Sequence, residues 1–144
     1  MAHETLLKFS YPQTLLKEYR HWAVLLRPKQ VTLGSLVLVC TEEATGMSEV
    51  TPAAFSELKT VTSDLEATLR EAFSYDKINY LCLMMVDKQV HFHVLPRYAS
   101  PRTACGKEFT DAKWPTPPDV THAVDLTDEQ FTALLQLLRS RWPR

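Results

Sequence analysis

The chain has 144 residues, a formal net charge of −1 at neutral pH, 45% hydrophobic residues and 23% charged residues. This length predicts one domain spanning 1–144, and the small charge excludes a whole-protein field that would attract nucleic acid or an anionic membrane. The sequence contains no apolar run long enough to span a bilayer, and its N-terminus lacks a secretory signal pattern. The three cysteines form no Cys-x-x-Cys pair. We therefore expect a cytoplasmic protein in a reducing compartment.

Two strands are predicted in the first third of the chain. A short strand or turn over 13–20 leads to a strand over 21–27, HWAVLLR, which ends where Pro28 removes a backbone donor. The nearly continuous apolar run at 35–41, SLVLVCT, predicts a second strand that is buried or central in a sheet.

Two helices are indicated by capping residues that precede an apolar stripe. Thr51 suits the N-cap, a proline follows it, and apolar residues recur at steps of three and four over 52–73. Thr127 begins a shorter helix over about 128–141, where Gln130 completes a capping box.

The second half of the chain contains two further apolar strands. INYLCLMMV at 78–86 and QVHFHVL at 89–95 are separated only by Asp87-Lys88, which predicts a tight antiparallel hairpin. A proline-rich segment over about 99–124 is predicted to be irregular. Because the long helix does not alternate with parallel strands, the fold class is predicted as α+β. The expected architecture is an antiparallel sheet with the long and the C-terminal helix packed on it.

The stretch QVHFHVLPRY contains two histidines one residue apart, His91 and His93. Strand side chains alternate between faces, so both imidazoles and Gln89 project from one face, while their apolar neighbours project from the other. This arrangement suits three uses. It could supply two ligands to zinc, or polar residues on a solvated sheet face. It could also form a phosphate-centred site, in which a neutral imidazole attacks phosphorus and a protonated neighbour stabilises the phosphoryl charge.

The stretch resembles the signature of the histidine triad family of nucleotide hydrolases and transferases. In that family three histidines alternate with apolar residues, and Pro-Arg often follows. The resemblance extends over roughly residues 8–98, because HWAVLLRPKQVTLGSLVLV, the long helix and KINYLCL occur in the family's order. It implies a HIT-like fold and a hydrolase or nucleotidyl transferase that cleaves nucleoside phosphoanhydrides, such as diadenosine polyphosphates, or phosphoramidates. It also implies a small-molecule nucleotide partner, a homodimer whose two sheets join, and no required metal, although Mg²⁺ can accompany a polyphosphate substrate.

The resemblance assigns a role to each triad position. The family's middle histidine falls on His91, which is implied to attack the α-phosphorus and form a nucleotidyl-histidine that water cleaves. The third falls on His93, implied to contact phosphoryl oxygens. The first falls on Gln89, an orienting group that can donate and accept hydrogen bonds but cannot titrate.

Three departures from the family pattern bear on the function. The family's ribose-binding Asp or Asn falls near Leu26, and the histidine after the strand glycine is replaced by Ser35. The family's glycine-rich phosphate loop is reduced to Asp87-Lys88, where Lys88 would supply a positive charge. These departures keep two alternatives open: a non-catalytic nucleotide or phosphate binder of the same fold, and a metal-binding protein.

The remaining candidates each have a structural alternative. Arg97 and Asn79, together with Lys88 and Ser35, are candidate substrate-binding residues. Three aromatic residues are candidates for stacking on a nucleobase: Trp22, Tyr98 and Trp114. Of the histidines outside the strand, His21 and His122 are assigned to surface or capping positions and His3 to a frayed terminus.

Overall fold

The computed structural model describes residues 2–144 and contains a five-stranded antiparallel sheet. The α-helices are α1 (Glu4–Lys8), α2 (Pro52–Phe73) and α3 (Asp128–Arg141). The strands of the sheet are β1 (Leu15–Glu18), β2 (Trp22–Leu26), β3 (Leu36–Cys40), β4 (Lys77–Leu81) and β5 (His91–Arg97). Their order across the sheet is β1-β2-β3-β5-β4. A separate hairpin pairs β6 (Arg102–Ala104) with β7 (Lys107–Phe109). This architecture confirms the predicted α+β class.

The sheet has two covered faces, because alternate residues of its central strands point in opposite directions. The helix face packs against α2 and α3 and carries these buried residues of β2 and β3: Trp22, Val24, Leu26, Leu36, Leu38 and Cys40. The opposite face, here called the histidine face, carries Ala23, Leu25, Val37 and Val39. Leu6 and Phe9, from the N-terminal segment 2–14, pack against these residues.

Both predicted helices are confirmed, together with their caps. The Thr51 side chain accepts a hydrogen bond from the Ala54 N–H at 3.2 Å. Thr127 and Gln130 form the predicted capping box at the start of α3. Within residues 2–144, no helix combines the length and the apolarity needed to cross a membrane.

The connection between β4 and β5 differs from the predicted hairpin. The two strands are antiparallel, but β4 ends at Leu81 and β5 begins at His91, so residues 82–90 form a loop and not a two-residue turn. Val90, the last residue of the loop, bonds on the opposite side, toward β3 and the segment that follows it. Its carbonyl accepts from the Cys40 N–H at 3.0 Å, and its N–H donates to the Ala44 carbonyl at 2.9 Å.

Two short elements lie where none was predicted. Helix α1 spans only Glu4–Lys8, too short for an apolar period to be visible in the sequence. The segment 99–124, predicted to be irregular, contains the β6–β7 hairpin, which turns at Cys105-Gly106 with positive φ at both residues.

The turn between β2 and β3 depends on Gly34, whose φ is +82°. A Cβ atom there would lie 3.0 Å from Phe73 Cε2 and 3.1 Å from Leu69 Cδ2. We predict that Gly34→Ala lowers the free energy of unfolding by roughly 2–4 kcal/mol, because it adds a clash with α2 to the cost of a left-handed backbone. Denaturant unfolding followed by tryptophan fluorescence measures this.

Gly106 provides the matched control, since its φ is +71° and a Cβ there would have no neighbour within 4 Å. Gly106→Ala should cost only about 1 kcal/mol, from the backbone conformation alone. Equal losses in the two variants would contradict the packing argument.

Candidate functional site

His91 and His93 lie side by side on the histidine face of β5. Their ring centroids are 5.3 Å apart and the rings meet edge to face at 83°. The strand lies between β3 and β4, where Val39 pairs with His91 and Leu81 pairs with His93. Both imidazoles are buried: His91 has no exposed surface and His93 is 8% exposed. The predicted pairing of the two histidines on one face is therefore present, whereas the solvated-face alternative is wrong.

One hydrogen bond sets the tautomer of His91. Its Nδ1 lies 2.7 Å from the backbone carbonyl oxygen of Gln89. Because a carbonyl oxygen only accepts, we assign the proton of the neutral ring to Nδ1. The lone pair is then on Nε2, which is buried without a hydrogen-bond partner within residues 2–144. An imidazole in this state has a nucleophilic nitrogen directed away from its own backbone.

His93 has a different electrostatic environment. Burial lowers its pKa from 6.5 to about 4, and the charge of Arg27, together with that of His91 when the His91 ring is protonated, acts in the same direction, against a smaller opposing effect of Asp87. Its Nδ1 is also buried without a partner within the described chain. The His93 ring is therefore neutral at pH 7 in this structure, so positive charge at this site comes from other side chains.

The N-terminal segment covers both histidines. The ring of Phe9 has its centroid 5.9 Å from that of His91 and 5.7 Å from that of His93. His3 caps α1, since its Nδ1 accepts from the Leu6 N–H at 3.3 Å while its Nε2 donates to the Cys40 carbonyl at 2.7 Å. The assignment of His3 to a frayed terminus is therefore wrong, because these two bonds hold it in place at 6% exposure.

Gln89 holds this cover in place. Its Oε1 accepts from the Thr5 hydroxyl at 2.6 Å, its backbone N–H donates to Thr5 Oγ1 at 3.2 Å, and its Nε2 lies 3.5 Å from Glu43 Oε2. The group that orients His91 is the Gln89 backbone carbonyl, which any residue would supply. The Gln89 side chain instead fixes the segment above the site, which differs from the orienting role expected from the resemblance.

A cavity of about 340 Å³ opens beside His93. Its other wall residues are Lys8, Phe9, Arg27, Pro28, Lys29 and Asp87. Leu26, where the family's ribose-binding residue was expected, is fully buried on the helix face. Arg27 is the residue at this strand end that reaches the cavity. Strand alternation counted from Trp22 would have placed position 27 on the histidine face, so this signal was available in the sequence.

Lys88 and Ser35 do not line this cavity. Lys88 is exposed on the loop 82–90, and its neighbour Asp87 is the loop residue that reaches the cavity wall. Ser35 is fully buried, with its hydroxyl donating to the Thr32 carbonyl at 2.7 Å and accepting from the Thr32 N–H at 3.0 Å. These bonds close the turn before β3, which favours a structural role for Ser35. Substrate binding by either residue stays a prediction.

Arg97 and Asn79 belong to a separate buried cluster. Arg97 is 4% exposed and forms a two-pronged ion pair with Asp111, at 2.7 Å from Nε and 3.1 Å from Nη2. It also donates to Asn79 Oδ1 at 2.9 Å and to the Thr116 carbonyl at 2.8 Å. The cluster ties the segment 99–124 to the end of β5. Substrate binding by these two residues stays a prediction, and their contacts favour a structural role.

Two of the aromatic candidates lie in the core. The Trp22 indole donates to the Ala54 carbonyl at 2.7 Å, and the Tyr98 hydroxyl donates to the Leu33 carbonyl at 2.8 Å. Trp114 lines a cavity of about 800 Å³ along the outer edge of β4. Phe9 is the aromatic residue at the histidines, and no sequence pattern distinguished it. Within the described chain, no group of three or more His, Cys, Asp or Glu side chains is arranged to hold a metal ion.

Comparison with solved structures identifies the fold. No protein-family model and no curated protein sequence matches the chain. A histidine triad protein from Marinobacter aquaeolei superposes with a TM-score of 0.76 at 24% identity, over 99% of this chain and 95% of that one. A histidine triad protein from Bradyrhizobium japonicum gives 0.76 at 20% identity, over 99% and 97%. A hypothetical histidine triad nucleotide-binding protein from Sulfolobus tokodaii gives 0.68 at 15%, over 95% and 88%.

The chain therefore has the histidine triad fold over nearly its whole length, which confirms the resemblance seen in the sequence. The superposition also extends beyond residues 8–98 and includes the segment 99–124 and helix α3, for which the sequence showed no resemblance to the family.

The low pKa of His93 predicts a specific pH dependence. A folded-state pKa of about 4, against 6.5 for the free side chain, means that the unfolded chain binds this proton first as the pH falls. The free energy of unfolding should therefore decrease between pH 6.5 and pH 4, by up to about 1.4 kcal/mol per pH unit from this residue. Denaturant unfolding at several pH values measures the loss.

His93→Gln serves as the comparison, because glutamine does not titrate. The variant should lose less stability than the wild type over this pH range. A ring proton of His93 should shift in ¹H NMR only below about pH 5. A midpoint near 6.5 would contradict the burial argument.

Proposed function

We propose that the protein is a nucleotide hydrolase or nucleotidyl transferase that cleaves a nucleoside phosphoanhydride or phosphoramidate through a nucleotidyl-histidine. The observation that carries this proposal is the state of His91. Its Nδ1–H is held by the Gln89 carbonyl, which leaves a lone pair on Nε2 without a partner within residues 2–144. The same proposal treats the chain as one domain with no required metal.

In this reaction His91 Nε2 attacks the α-phosphorus, and the bond from phosphorus to the leaving group breaks. The imidazole becomes positively charged when the N–P bond forms, and its Nδ1–H then donates a stronger, charge-assisted bond to the Gln89 carbonyl. His93, neutral at pH 7, can donate one hydrogen bond to a phosphoryl oxygen. Water then attacks the same phosphorus and the N–P bond breaks, which leaves its electron pair on Nε2 of a neutral His91 and releases the nucleotide and one proton to solvent.

The cover over the histidines must open for this chemistry. His91 has no exposed surface, and Phe9 packs against both rings. A phosphorus atom can reach Nε2 only when Phe9 and the segment 2–14 move. This burial also favours a second candidate function, a nucleotide or phosphate binder of the same fold in which the cover stays in place and His91 does not react.

The same proposal includes two further statements: the protein forms a homodimer, and it is located in the cytoplasm. Strand β4 is an edge of the sheet, so within the described residues one side of its backbone pairs with no other strand and could pair with a second copy. Of the cysteines, none forms a disulfide in the described chain. Sedimentation equilibrium should give twice the chain mass of 16.5 kDa. A monomer at micromolar concentration would contradict the dimer.

The function is tested by AMP release from adenosine phosphoramidate and from diadenosine tetraphosphate. His91→Ala should lower kcat/KM by at least about a thousand-fold, because the nucleophile is removed while the cavity beside His93 remains. Rapid quenching followed by mass spectrometry should detect AMP attached to His91 in the wild type.

The exposed His122 provides a matched control. His122→Ala removes the same side chain at a position that does not line the cavity beside His93 and should change kcat/KM less than about threefold. A wild type that binds AMP but releases none from either substrate would favour the binder. Equal release by wild type and His91→Ala would refute the proposal.

A further inference from the structure

The cavity beside His93 has an unusual charge balance. Three of its wall residues are cationic, Lys8, Arg27 and Lys29, whereas one is anionic, Asp87. Lys8 and Asp87 pair with each other at 3.6 Å between Nζ and Oδ1. Within residues 2–144, Arg27 and Lys29 have no carboxylate partner within 4.0 Å. The cavity therefore carries an excess of positive charge next to the two histidines.

Arg27 is held in place by neutral groups. Its guanidinium donates to the Lys29 carbonyl and, at 3.2 Å, to the Val120 carbonyl. Its Nε is buried and has no hydrogen-bond partner in the described chain. Burial lowers the pKa of Arg27, but a guanidinium stays protonated in proteins. A partly buried cation without a counter-charge is unfavourable by itself and becomes favourable when an anion binds.

We propose that Arg27, with Lys29 and Lys8, forms an anion subsite beside His93 that selects substrates carrying a second phosphate group in addition to the one that His91 attacks. The guanidinium presents its N–H groups from a fixed position, which suits phosphate oxygens better than a mobile ammonium does. The subsite is on the same sheet face as His91, because positions 23, 25 and 27 of the β2 region alternate onto the histidine face.

The consequence for substrate class rests on the proposed function. A phosphoanhydride such as diadenosine tetraphosphate has phosphate groups beyond the attacked one, whereas adenosine phosphoramidate has a single phosphorus. The subsite should therefore favour the phosphoanhydride. Arg27→Gln should lower kcat/KM for diadenosine tetraphosphate at least tenfold more than it lowers kcat/KM for the phosphoramidate.

The subsite itself is tested without turnover, by isothermal titration calorimetry with inorganic tripolyphosphate. The wild type should bind, Arg27→Gln should bind at least tenfold more weakly, and Arg27→Lys should lie between them. Arg20→Gln is the matched control, because Arg20 is exposed near the opposite end of β2. Its affinity should stay within twofold of the wild type. Lys29→Gln, at an exposed position, provides a second variant that keeps the fold intact.

The position of the bound anion is tested by ¹H NMR. Tripolyphosphate next to Arg27 should raise the pKa of His93 in the wild type, because it offsets the positive charge that lowers it. No such shift, equal affinity in wild type and Arg27→Gln, or absence of binding would overturn the subsite. His91→Ala should bind tripolyphosphate as the wild type does. Binding without any AMP release would leave the subsite standing and refute the proposed function alone.

Discussion

Strand β5 is hydrogen-bonded to β3 on one side and to β4 on the other, and both faces of the sheet around it are covered. This position determines the chemistry of every polar side chain on the strand. A strand so enclosed removes its side chains from water, so each polar group has to find a partner inside the protein or remain without one. Arg97 finds Asp111 and the Thr116 carbonyl. Among residues 2–144, His91 finds one partner for Nδ1 and none for Nε2. The same burial thus produces a structural anchor at one end of the strand and an unpaired nitrogen at the other.

The opposed faces of the sheet also separate the main hydrophobic core from the candidate site. The helix face is filled by large apolar side chains against α2 and α3 and carries most of the hydrophobic core. The histidine face has smaller residues on its central strands, Ala23, Val37 and Val39, and its cover is a short N-terminal segment held by a few hydrogen bonds. Separation of this cover from the sheet would leave the helix-face core in place, and its cost would include exposure of the apolar cluster around Leu6 and Phe9.

The sequence predicted most of the fold. At the candidate site it predicted the two histidines, but it did not predict the N-terminal cover or Arg27. The two long helices were predictable from their apolar periodicity and their capping residues. Thr51 and Thr127 are the N-caps of α2 and α3, as expected. The alternation of β5 placed His91 and His93 together. The cover was missed because α1 has five residues and because the contact between Thr5 and Gln89 joins positions 84 residues apart. Arg27 was missed because the resemblance to the family drew attention to its neighbour Leu26, whose side chain is buried on the helix face.

The hydrogen bonds between Thr5 and Gln89 have a thermodynamic consequence for any ligand of His91. A ligand that requires the cover to be open binds only the open fraction of molecules, so its apparent dissociation constant is the intrinsic one divided by that fraction. If the cover were open in one molecule in a hundred, apparent affinity would fall about a hundred-fold. The strength of the hydrogen bonds between Thr5 and Gln89 would therefore contribute directly to the concentration of such a ligand that is needed to occupy His91.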